Sequence, residues 1–429
     1  MNSIRRRGSL KSTLAMLAAM ILVGVTAHAQ NWPQWRGPDA NGVAAPGNYP
    51  VKFSAADGLL WKAQLPGKGG STPIVWKDRI VLTSGVGKDA EGEDGVLCFD
   101  WAGKQLWQVK LGKQSPGKHP RGSGSCPSAV TDGERLFAYF KSGTLAALDF
   151  AGKILWKTNL QERYGKSSLF WDLGTSPVLV DDNVVVAVMH ESSSYLVALE
   201  QATGKVAWKV DRNYPSKKET QQSYTTPLVT TEGDRTTIVV WGADHLTGHD
   251  AATGETTWLC GGFNPADKPL WRVIASPAIS RGVAVVPYGR EKYVAGVKIG
   301  GSGDITEAAR LWEKSGIGTD AATPVASDGK AYIVNFKGKV WCLDIQTGKE
   351  LWQTELPRGK GVFYSSPTLA GNKLYLCREE GAFYVCEVSP TGLQILNETR
   401  FDDFFVASPV LVRDKLLLRG ERNLYCIGK

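Results

Sequence analysis

The sequence predicts an all-β fold, an eight-bladed β-propeller of four-stranded antiparallel blades in which an N-terminal strand completes the last blade. Two sequence markers recur in register, and their period of about 42 to 54 residues suits one four-stranded blade. The 48 glycines and 15 tryptophans among 429 residues favour many short strands joined by tight turns. Collagen and coiled coil are excluded, because neither a glycine triplet nor an apolar heptad runs through the chain.

The first element along the chain is a targeting segment, residues 1–29. A basic stretch ends at Lys11, an apolar run extends from Leu14 to Val25, and Ala27-His28-Ala29 fits a cleavage site. The apolar run is shorter than the ~20 residues that span a bilayer. We therefore expect a signal peptide and an exported protein of the periplasm or cell envelope, soluble after cleavage. Because Arg6-Arg7 fits a twin-arginine motif, Sec and twin-arginine export both stay open.

Residues 30–58 are predicted to be an N-terminal extension, and residues 59–429 the propeller. The first marker of each blade is a small residue that proline follows, ahead of an alternating strand, and it occurs eight times. The eight copies are Thr72-Pro73, Cys126-Pro127, Ser176-Pro177, Thr226-Pro227, Ser276-Pro277, Thr323-Pro324, Ser366-Pro367 and Ser408-Pro409. In the second copy, Cys126 occupies the position of the serine or threonine.

The second marker is a strand that ends in a carboxylate, then a tight turn with glycine, then a strand with tryptophan. We interpret the carboxylates, such as Asp100 and Asp344, as caps of turn N–H groups and not as acid–base catalysts. The tryptophans recur too regularly to form one ligand site, so we expect each to pack between neighbouring blades. These docking residues are Trp61, Trp107, Trp156, Trp208, Trp258, Trp312 and Trp352.

The two ends of the propeller are predicted to pair. Residues 423–426 match the third strand of a blade with no fourth strand after them, whereas residues 59–61 match a fourth strand with no blade before them. Pairing them removes the exposed edges that an open array would leave. The seven cysteines are an odd number, and most fall one per blade, so we expect mostly free, buried thiols.

No enzyme signature is found, so no catalytic residue and no metal ligand is predicted. His119, His190, His245 and His249 show no metal-ligand spacing. Residues 67–72 have the wrong order for a phosphate-binding loop, and no G-x-S-x-G elbow occurs. The formal net charge is +8, and half of it lies in residues 1–29, so the propeller is too weakly basic to predict nucleic-acid binding.

Function is therefore expected on the loops that run from an outermost strand to the next innermost strand. These loops lie on one side of a propeller, which we call the loop face, and several mix aromatic with basic residues. Such a rim suits a peptide, a polymer or a ring-shaped ligand, and the alternative is a set of variable loops without a common ligand. The candidate binding residues are Arg121, Arg163, Trp171, Tyr224, Trp271, Arg272, Arg290, Tyr364, Arg378 and Phe405.

The repeats resemble those of the pyrroloquinoline quinone (PQQ)-like β-propeller family. The resemblance covers residues 31–429, and it lies in the run small-Leu-Asp/Glu-x-x-Thr-Gly-Lys-x-x-Trp, best preserved at residues 198–208 and 342–352. It implies one of two functions. Quinoprotein alcohol and glucose dehydrogenases of this family bind PQQ and calcium over the propeller axis, whereas the BamB-like lipoproteins carry no cofactor and are scaffolds in outer-membrane β-barrel assembly.

The sequence differs from both branches of the family, and these differences bear on the function that we expect. The chain lacks the adjacent Cys-Cys pair of the alcohol dehydrogenases, and it lacks the lipid-bearing cysteine of the lipoproteins. We expect a monomeric, non-enzymatic scaffold, closest in character to the BamB-like proteins, that needs no cofactor and binds protein or peptide partners in envelope assembly. The alternative is a PQQ-dependent dehydrogenase that oxidises alcohols or sugars with PQQ and calcium at a divergent site. A third option is carbohydrate binding through Trp171 and Trp271.

Overall fold

Eight antiparallel β-sheets follow one another along the chain in the computed structural model, which describes residues 31–88, 91–191 and 193–429. The predicted all-β, eight-bladed propeller of four-stranded blades is thereby confirmed. The predicted signal peptide, residues 1–29, lies outside the described residues. No helix of the described residues is long and apolar enough to cross a membrane.

The first four complete blades each begin with the strand nearest the axis, and the first strand of the chain, β1 (Leu59–Gln64), belongs to the last blade. Blade 1 contains β2 (Ile74–Trp76), β3 (Arg79–Val86), β4 (Glu93–Phe99) and β5 (Gln105–Lys113). Blade 2 contains β6 (Val130–Thr131), β7 (Arg135–Tyr139), β8 (Thr144–Asp149) and β9 (Ile154–Asn159), and helix α1 (Leu160–Tyr164) follows it. Blade 3 contains β10 (Val178–Val180), β11 (Asn183–Val188), β12 (Tyr195–Glu200) and β13 (Val206–Asp211), and a 3-10 helix (Lys218–Gln221) follows it. Blade 4 contains β14 (Leu228–Glu232), β15 (Arg235–Gly242), β16 (His245–Asp250) and β17 (Thr256–Cys260).

The other four blades repeat the pattern with one insertion. Blade 5 contains β18 (Ala278–Ser280), β19 (Val283–Tyr288) and β20 (Tyr293–Lys298), then β21 (Gly303–Asp304), helix α2 (Thr306–Ala309) and β22 (Arg310–Ser315). Blade 6 contains β23 (Val325–Ser327), β24 (Lys330–Val334), β25 (Lys339–Asp344) and β26 (Glu350–Glu355). Blade 7 contains β27 (Thr368–Ala370), β28 (Lys373–Cys377), β29 (Ala382–Ser389) and β30 (Gly392–Arg400). Blade 8 contains β31 (Val410–Val412), β32 (Lys415–Arg419) and β33 (Asn423–Ile427).

The ring closes as predicted. Strand β1 pairs antiparallel with β33, with Lys62 opposite Tyr425, and it becomes the outermost strand of blade 8. In blade 5, the inserted β21 pairs with the outermost strand of blade 4, in parallel, so the insertion joins two neighbouring blades. Every blade thus has a partner on both sides.

The tryptophans of the second marker connect neighbouring blades. In six of them, the indole N–H donates to a backbone carbonyl of the following blade, at 2.8 to 3.2 Å. The indole of Trp61 lies on the turn at Gly103, whose φ is +79° and where a Cβ would come within 2.6 Å of the ring. The seventh, Trp258, is buried, and the blade that follows it carries the insertion in place of the short turn.

The remaining repeat residues have structural roles. The carboxylate of Asp100 accepts hydrogen bonds from the N–H groups of Ala102 and Lys104, both at 2.9 Å, so it caps its turn as predicted. All seven cysteines are free, and six of them are buried. Buried hydrophobic side chains form clusters between adjacent sheets, so each blade shares its core with its neighbours.

Candidate functional site

Eight serines and threonines at the starts of the innermost strands surround the propeller axis. We call them the hydroxyl ring, and they are Thr72, Ser128, Ser176, Thr226, Ser276, Thr323, Ser366 and Ser408. In seven of the eight steps around the ring, the backbone N–H of one member donates to the side-chain oxygen of the next, at 2.9 to 3.1 Å. The small residues of the first marker thus tie successive blades together at the axis.

The hydroxyl ring corrects one assignment made from the sequence. Cys126 was placed at the serine or threonine position of the second blade, but Ser128 makes the ring hydrogen bonds there. The proline of this copy precedes the ring residue by one position, whereas in the other copies it follows. The residue before the proline in this copy, Cys126, therefore lies two positions ahead of the ring residue, Ser128.

The N-terminal extension crosses the propeller axis. Trp32 forms a bridge with Val75 in the innermost strand of blade 1, with N–H to carbonyl distances of 2.8 Å in both directions. Farther along, the N–H of Ala44 donates to the carbonyl of Leu369, at 2.7 Å, in the innermost strand of blade 7. Residues 32–44, which we call the crossing segment, therefore connect the innermost strands of blades 1 and 7, which are not neighbours in the ring.

Arg36 fixes the middle of the crossing segment. Its side chain is 1% exposed, and the guanidinium donates to the carbonyl oxygens of Pro324 at 2.6 Å, Pro367 at 2.8 Å and Asn41 at 3.0 Å. Burial lowers the pKa of this guanidinium from 12.5 to about 9. The preceding residue, Trp35, lines the cavity described next.

A cavity of about 340 Å³ lies on the axis, between Trp35 and the hydroxyl ring on one side and the loop face on the other. Aromatic side chains from separate loops line it. They are Trp35, His119, Trp171, Tyr224, Phe336 and Tyr364. We call this space the axial cavity.

The imidazole of His119 contacts two of the other rings that line the axial cavity. The His119 ring meets Trp171 and Tyr364 edge-on, with centroid distances of 5.7 and 5.6 Å. His119 Nε2 also lies 3.4 Å from the Tyr364 hydroxyl. Because His119 precedes blade 2 and Tyr364 precedes blade 7, this contact joins loops that are distant around the ring.

Arg121 is paired on the loop face. Its guanidinium carbon lies 3.3 Å from the centroid of the Phe404 ring, and its nitrogens lie 3.5 Å from Glu379 and 3.6 Å from Glu421. Stacking on an aromatic face and pairing with two carboxylates hold the guanidinium in place. It therefore brings little net charge to the cavity.

The other charged groups at the axial cavity are paired as well. Arg272 contacts Asp320 at 2.9 Å and Glu219 at 3.7 Å, and burial raises the pKa of the Asp320 carboxyl against the opposing effect of Arg272. The Asp172 carboxylate accepts hydrogen bonds from the backbone N–H of His119 at 2.9 Å and from the Lys141 ammonium at 2.6 Å. The lining is thus aromatic and hydroxylic, with its charges neutralised locally.

The structure brings five of the ten candidate residues together at the axial cavity. They are Arg121, Trp171, Tyr224, Arg272 and Tyr364. The Tyr224 hydroxyl donates to Gln222 at 2.8 Å, and burial raises its pKa to about 12. A ligand-binding role of the five stays a prediction.

Three further candidates lie apart from the axial cavity. Arg163 is exposed on helix α1, and Arg290 is exposed in the turn between β19 and β20. Trp271 packs its ring against Tyr288 and Tyr293, with centroid distances of 6.3 and 5.3 Å. They are not brought together with the other five.

Arg378 and Phe405 have side chains that are 1% exposed, so neither lies on an accessible rim. Arg378 points inward, donates to the carbonyl of Pro357 at 2.6 Å and lies 4.6 Å from the Phe363 ring centroid. Phe405 packs on Tyr425, with a centroid distance of 6.0 Å. Loop position predicts exposure only where the side chain is not needed to fill the space between blades.

Sequence reasoning missed four aromatic or charged residues of the lining, Trp35, His119, Asp172 and Phe336. His119 and Asp172 lie within loops that were singled out for their composition, and Phe336 lies in a short loop between β24 and β25. Trp35 carries no signal in the repeat pattern, because it belongs to the extension. Only the path of the crossing segment brings it to the axis.

The donor set of the axial cavity does not fit calcium-bound PQQ. Asp172 is the one carboxylate residue lining the cavity within the described part of the chain, and its oxygens already accept hydrogen bonds. Among the described residues, no group of three or more His, Cys, Asp or Glu side chains could hold a metal ion. The two lining arginines, which a quinone with three carboxylates would need, each face two protein carboxylates.

Comparison with known proteins finds two kinds of relatives. A family model described as outer membrane protein assembly factor BamB matches residues 43–192, 92–258 and 196–391. BamB of Yersinia pestis is 22% identical over 276 residues, which are 64% of this chain and 55% of that protein. A lanthanide-dependent methanol dehydrogenase of Methylorubrum extorquens is 26% identical over 134 residues, 28% of this chain and 20% of that protein. The chain spans about half or less of the length of the curated relatives it matches.

The solved structures that resemble this chain are of the same two kinds. A europium-containing methanol dehydrogenase superposes with a TM-score of 0.67 and 11% identity, covering 94% of this chain and 92% of that one. BamB from Moraxella catarrhalis superposes with a TM-score of 0.60 and 14% identity, covering 86% of this chain and 99% of that one. At these identities the likeness shows a shared fold alone.

Proposed function

The chain belongs to the PQQ-like β-propeller family of the outer membrane protein assembly factor BamB, and from this premise we propose that it is an exported, non-enzymatic scaffold. Its partners are proteins or peptides of the cell envelope, and its role lies in the assembly of envelope proteins. The family contains both scaffolds and quinoprotein dehydrogenases, so the proposal depends on the chemistry of the axial cavity and of the loop face.

One observation carries the proposal. The loop face presents aromatic side chains from several blades at one place, and the charged side chains there are neutralised by each other. Protein-binding surfaces are enriched in aromatic residues and arginine, and they gain little from isolated charges at their centre. Phe170 is 54% exposed and meets Trp171 edge-on, with a centroid distance of 4.9 Å, so it offers a partner an aromatic anchor.

The second candidate function is a PQQ-dependent dehydrogenase that oxidises alcohols or sugars. The likeness to methanol dehydrogenases favours it. The lining opposes it, since Asp172 is already engaged and the two arginines are already paired. We derive no catalytic step through the quinone on this site.

The scaffold proposal is tested by photo-crosslinking in living cells with the full chain. A photoreactive residue replaces Phe170 on the loop face or, as the matched control, Leu155 on the outermost strand of blade 2, which is 43% exposed. We expect defined envelope proteins to crosslink at position 170 and not at position 155. Adding Trp171→Ala should weaken those crosslinks, because Phe170 loses the ring that orients it.

Two outcomes contradict the scaffold proposal. One is equal crosslinking from both positions, or none from position 170. The other is saturable binding of PQQ with calcium by the purified mature chain, seen as a raised melting temperature together with alcohol or sugar oxidation. A ligand at 100 times its dissociation constant stabilises a protein by about 2.7 kcal/mol, which a thermal shift detects.

A further inference from the structure

The axial cavity is closed at one end. The crossing segment spans the ring beneath it, held by Arg36 on the carbonyls of Pro324 and Pro367, and Trp35 forms part of the lining. Its volume of about 340 Å³ lies at the lower end of the range for small-molecule sites. A ligand chain can therefore insert one end from the loop face but cannot pass through.

The wall of the axial cavity is made of hydroxyl groups that keep their protons available. Seven members of the hydroxyl ring accept a backbone N–H. Within residues 31–88, 91–191 and 193–429, none of the eight is seen to donate its O–H to a protein acceptor. A hydroxyl can both donate and accept, so this wall suits a ligand whose own groups do both.

Aromatic side chains form a further part of the lining. Trp35, Trp171, Phe336 and Tyr364 present rings around one small space. Sugar rings have the matching anatomy, because their C–H groups form apolar faces that pack on aromatic rings while their hydroxyls point outward from the edges. A pocket of this kind combines apolar walls with a few polar groups that orient the ligand.

The paired charges exclude a strongly ionic ligand. Arg121 and Arg272 each face two carboxylates, and Asp172 is bound by Lys141 and backbone N–H groups. An anion or a cation would have to break one of these pairs and leave a buried charge uncompensated, which is costly. A neutral, polyhydroxylated ligand needs no such exchange.

From these four features we propose that the axial cavity binds the neutral end of a saccharide chain, one or two sugar rings deep. This inference goes beyond the scaffold proposal, because a protein partner on the outer loops does not require the cavity beneath them. Trp171 is the main stacking residue, and the hydroxyl ring supplies the hydrogen bonds. Trp271, by contrast, packs on Tyr288 and Tyr293 and takes no part.

The test is isothermal titration of the mature chain with cellobiose, maltose and diacetylchitobiose, with tryptophan fluorescence as the second readout. We expect at least one disaccharide to bind saturably, with a dissociation constant below ~1 mM, about −4 kcal/mol. Trp171→Ala should weaken binding about tenfold or more, equal to ~1.4 kcal/mol. The matched variant Trp271→Ala, which removes a tryptophan from the same face, should leave the dissociation constant within about threefold of its original value.

The inference is overturned if none of the three disaccharides binds at concentrations up to ~10 mM, ten times the expected upper limit of the dissociation constant. It is also overturned if Trp271→Ala weakens binding as much as Trp171→Ala. Circular dichroism establishes that each variant is folded, and Phe336→Ala replaces Trp171→Ala if the latter does not fold. Crosslinking from position 170 that persists without sugar binding would overturn this inference alone. The loss of crosslinking while sugar binding remains would overturn the scaffold proposal alone.

Discussion

At the scale of single residues, buried titratable side chains determine how the stability of the propeller responds to pH. His249 and Asp94 are both fully buried, and burial moves their pKa values in opposite directions along the scale. Desolvation disfavours the charged form in both cases, so the imidazole loses its proton more easily and the carboxyl keeps its proton longer. The two residues therefore predict opposite pH trends.

The His249 imidazole is neutral in the folded protein. Its Nδ1 donates to the carbonyl of Gly254 at 2.9 Å, its Nε2 accepts from the Thr247 hydroxyl at 2.9 Å, and burial, with the Arg212 charge nearby, lowers its pKa to about 4. The ordinary value of an unfolded histidine is ~6.5. As the pH falls from 6.5 to 4, only the unfolded chain binds the proton, so stability decreases by up to about 3 kcal/mol.

Denaturant unfolding of wild type and His249→Gln between pH 4 and 7.5 measures this decrease. The wild-type free energy of unfolding should fall more steeply below pH 6.5 than that of the variant. Parallel curves for the two proteins would show that His249 does not carry the effect.

The Asp94 carboxyl gives the reverse prediction. Ser142 donates to one of its oxygens at 2.5 Å, the other oxygen is buried without a partner among the described residues, and burial raises the pKa to about 7. The folded state then holds a proton that the unfolded carboxyl releases near pH 4, so stability decreases as the pH rises from about 4 to 7.

Asp94→Asn removes that penalty. We expect the change in the free energy of unfolding that the substitution causes to be about 1 to 3 kcal/mol more stabilising at pH 8 than at pH 4. Chemical denaturation at the two pH values measures the difference. Equal effects of the substitution at both values would contradict the assignment.

At the scale of the elements, six pairs of neighbouring blades are joined by a tryptophan hydrogen bond, and five of these tryptophans lie on a glycine turn. Gly103 has a φ of +79°, and a Cβ there would lie 2.6 Å from the Trp61 ring. Gly282 has a similar φ of +73°, but a Cβ there would meet nothing within 4 Å. Substituting each of these two glycines therefore distinguishes the cost of backbone strain from the cost of losing the contact between blades.

We expect Gly103→Ala to destabilise the protein by about 2 to 4 kcal/mol, and Gly282→Ala by about 1 kcal/mol, since the second substitution carries the strain of positive φ alone. Thermal unfolding compares the two variants. A similar loss in both would mean that the tryptophan adjusts without cost.

The elements also show which parts of the fold the sequence predicts. The strands and the ring closure follow from apolar alternation and from turn residues, which act locally. Half of the candidate site residues reached the axial cavity, because loop position predicts the face. Arg378 turns inward because of the packing between blades. Trp35 reaches the axis because of the path that the N-terminal extension takes. Neither cause leaves a local pattern in the sequence.

At the scale of the whole molecule, the crossing segment joins blades that are not neighbours in the ring. The Arg36 guanidinium joins the carbonyls of Pro324 and Pro367, which belong to blades 6 and 7, to a segment that also pairs with blade 1. Buried hydrogen bonds to a charged group are stronger than neutral ones, and their loss leaves carbonyl oxygens without a donor.

Arg36→Met should therefore destabilise the protein by about 2 to 4 kcal/mol. Arg163→Met, on the exposed face of helix α1, is the matched control and should change stability by less than about 0.5 kcal/mol. Differential scanning calorimetry compares the two variants. An unchanged melting temperature for Arg36→Met would show that the crossing segment does not support the ring.

The crossing segment and β1 also have a consequence for the order in which the chain is made. Both are translated well before their partners Leu369, Pro367 and Tyr425. A chain that stops before blade 7 therefore leaves residues 32–64 without these partners and exposed to proteases. Protection of residues 32–64 against proteolysis thus depends on the translation of blades 7 and 8.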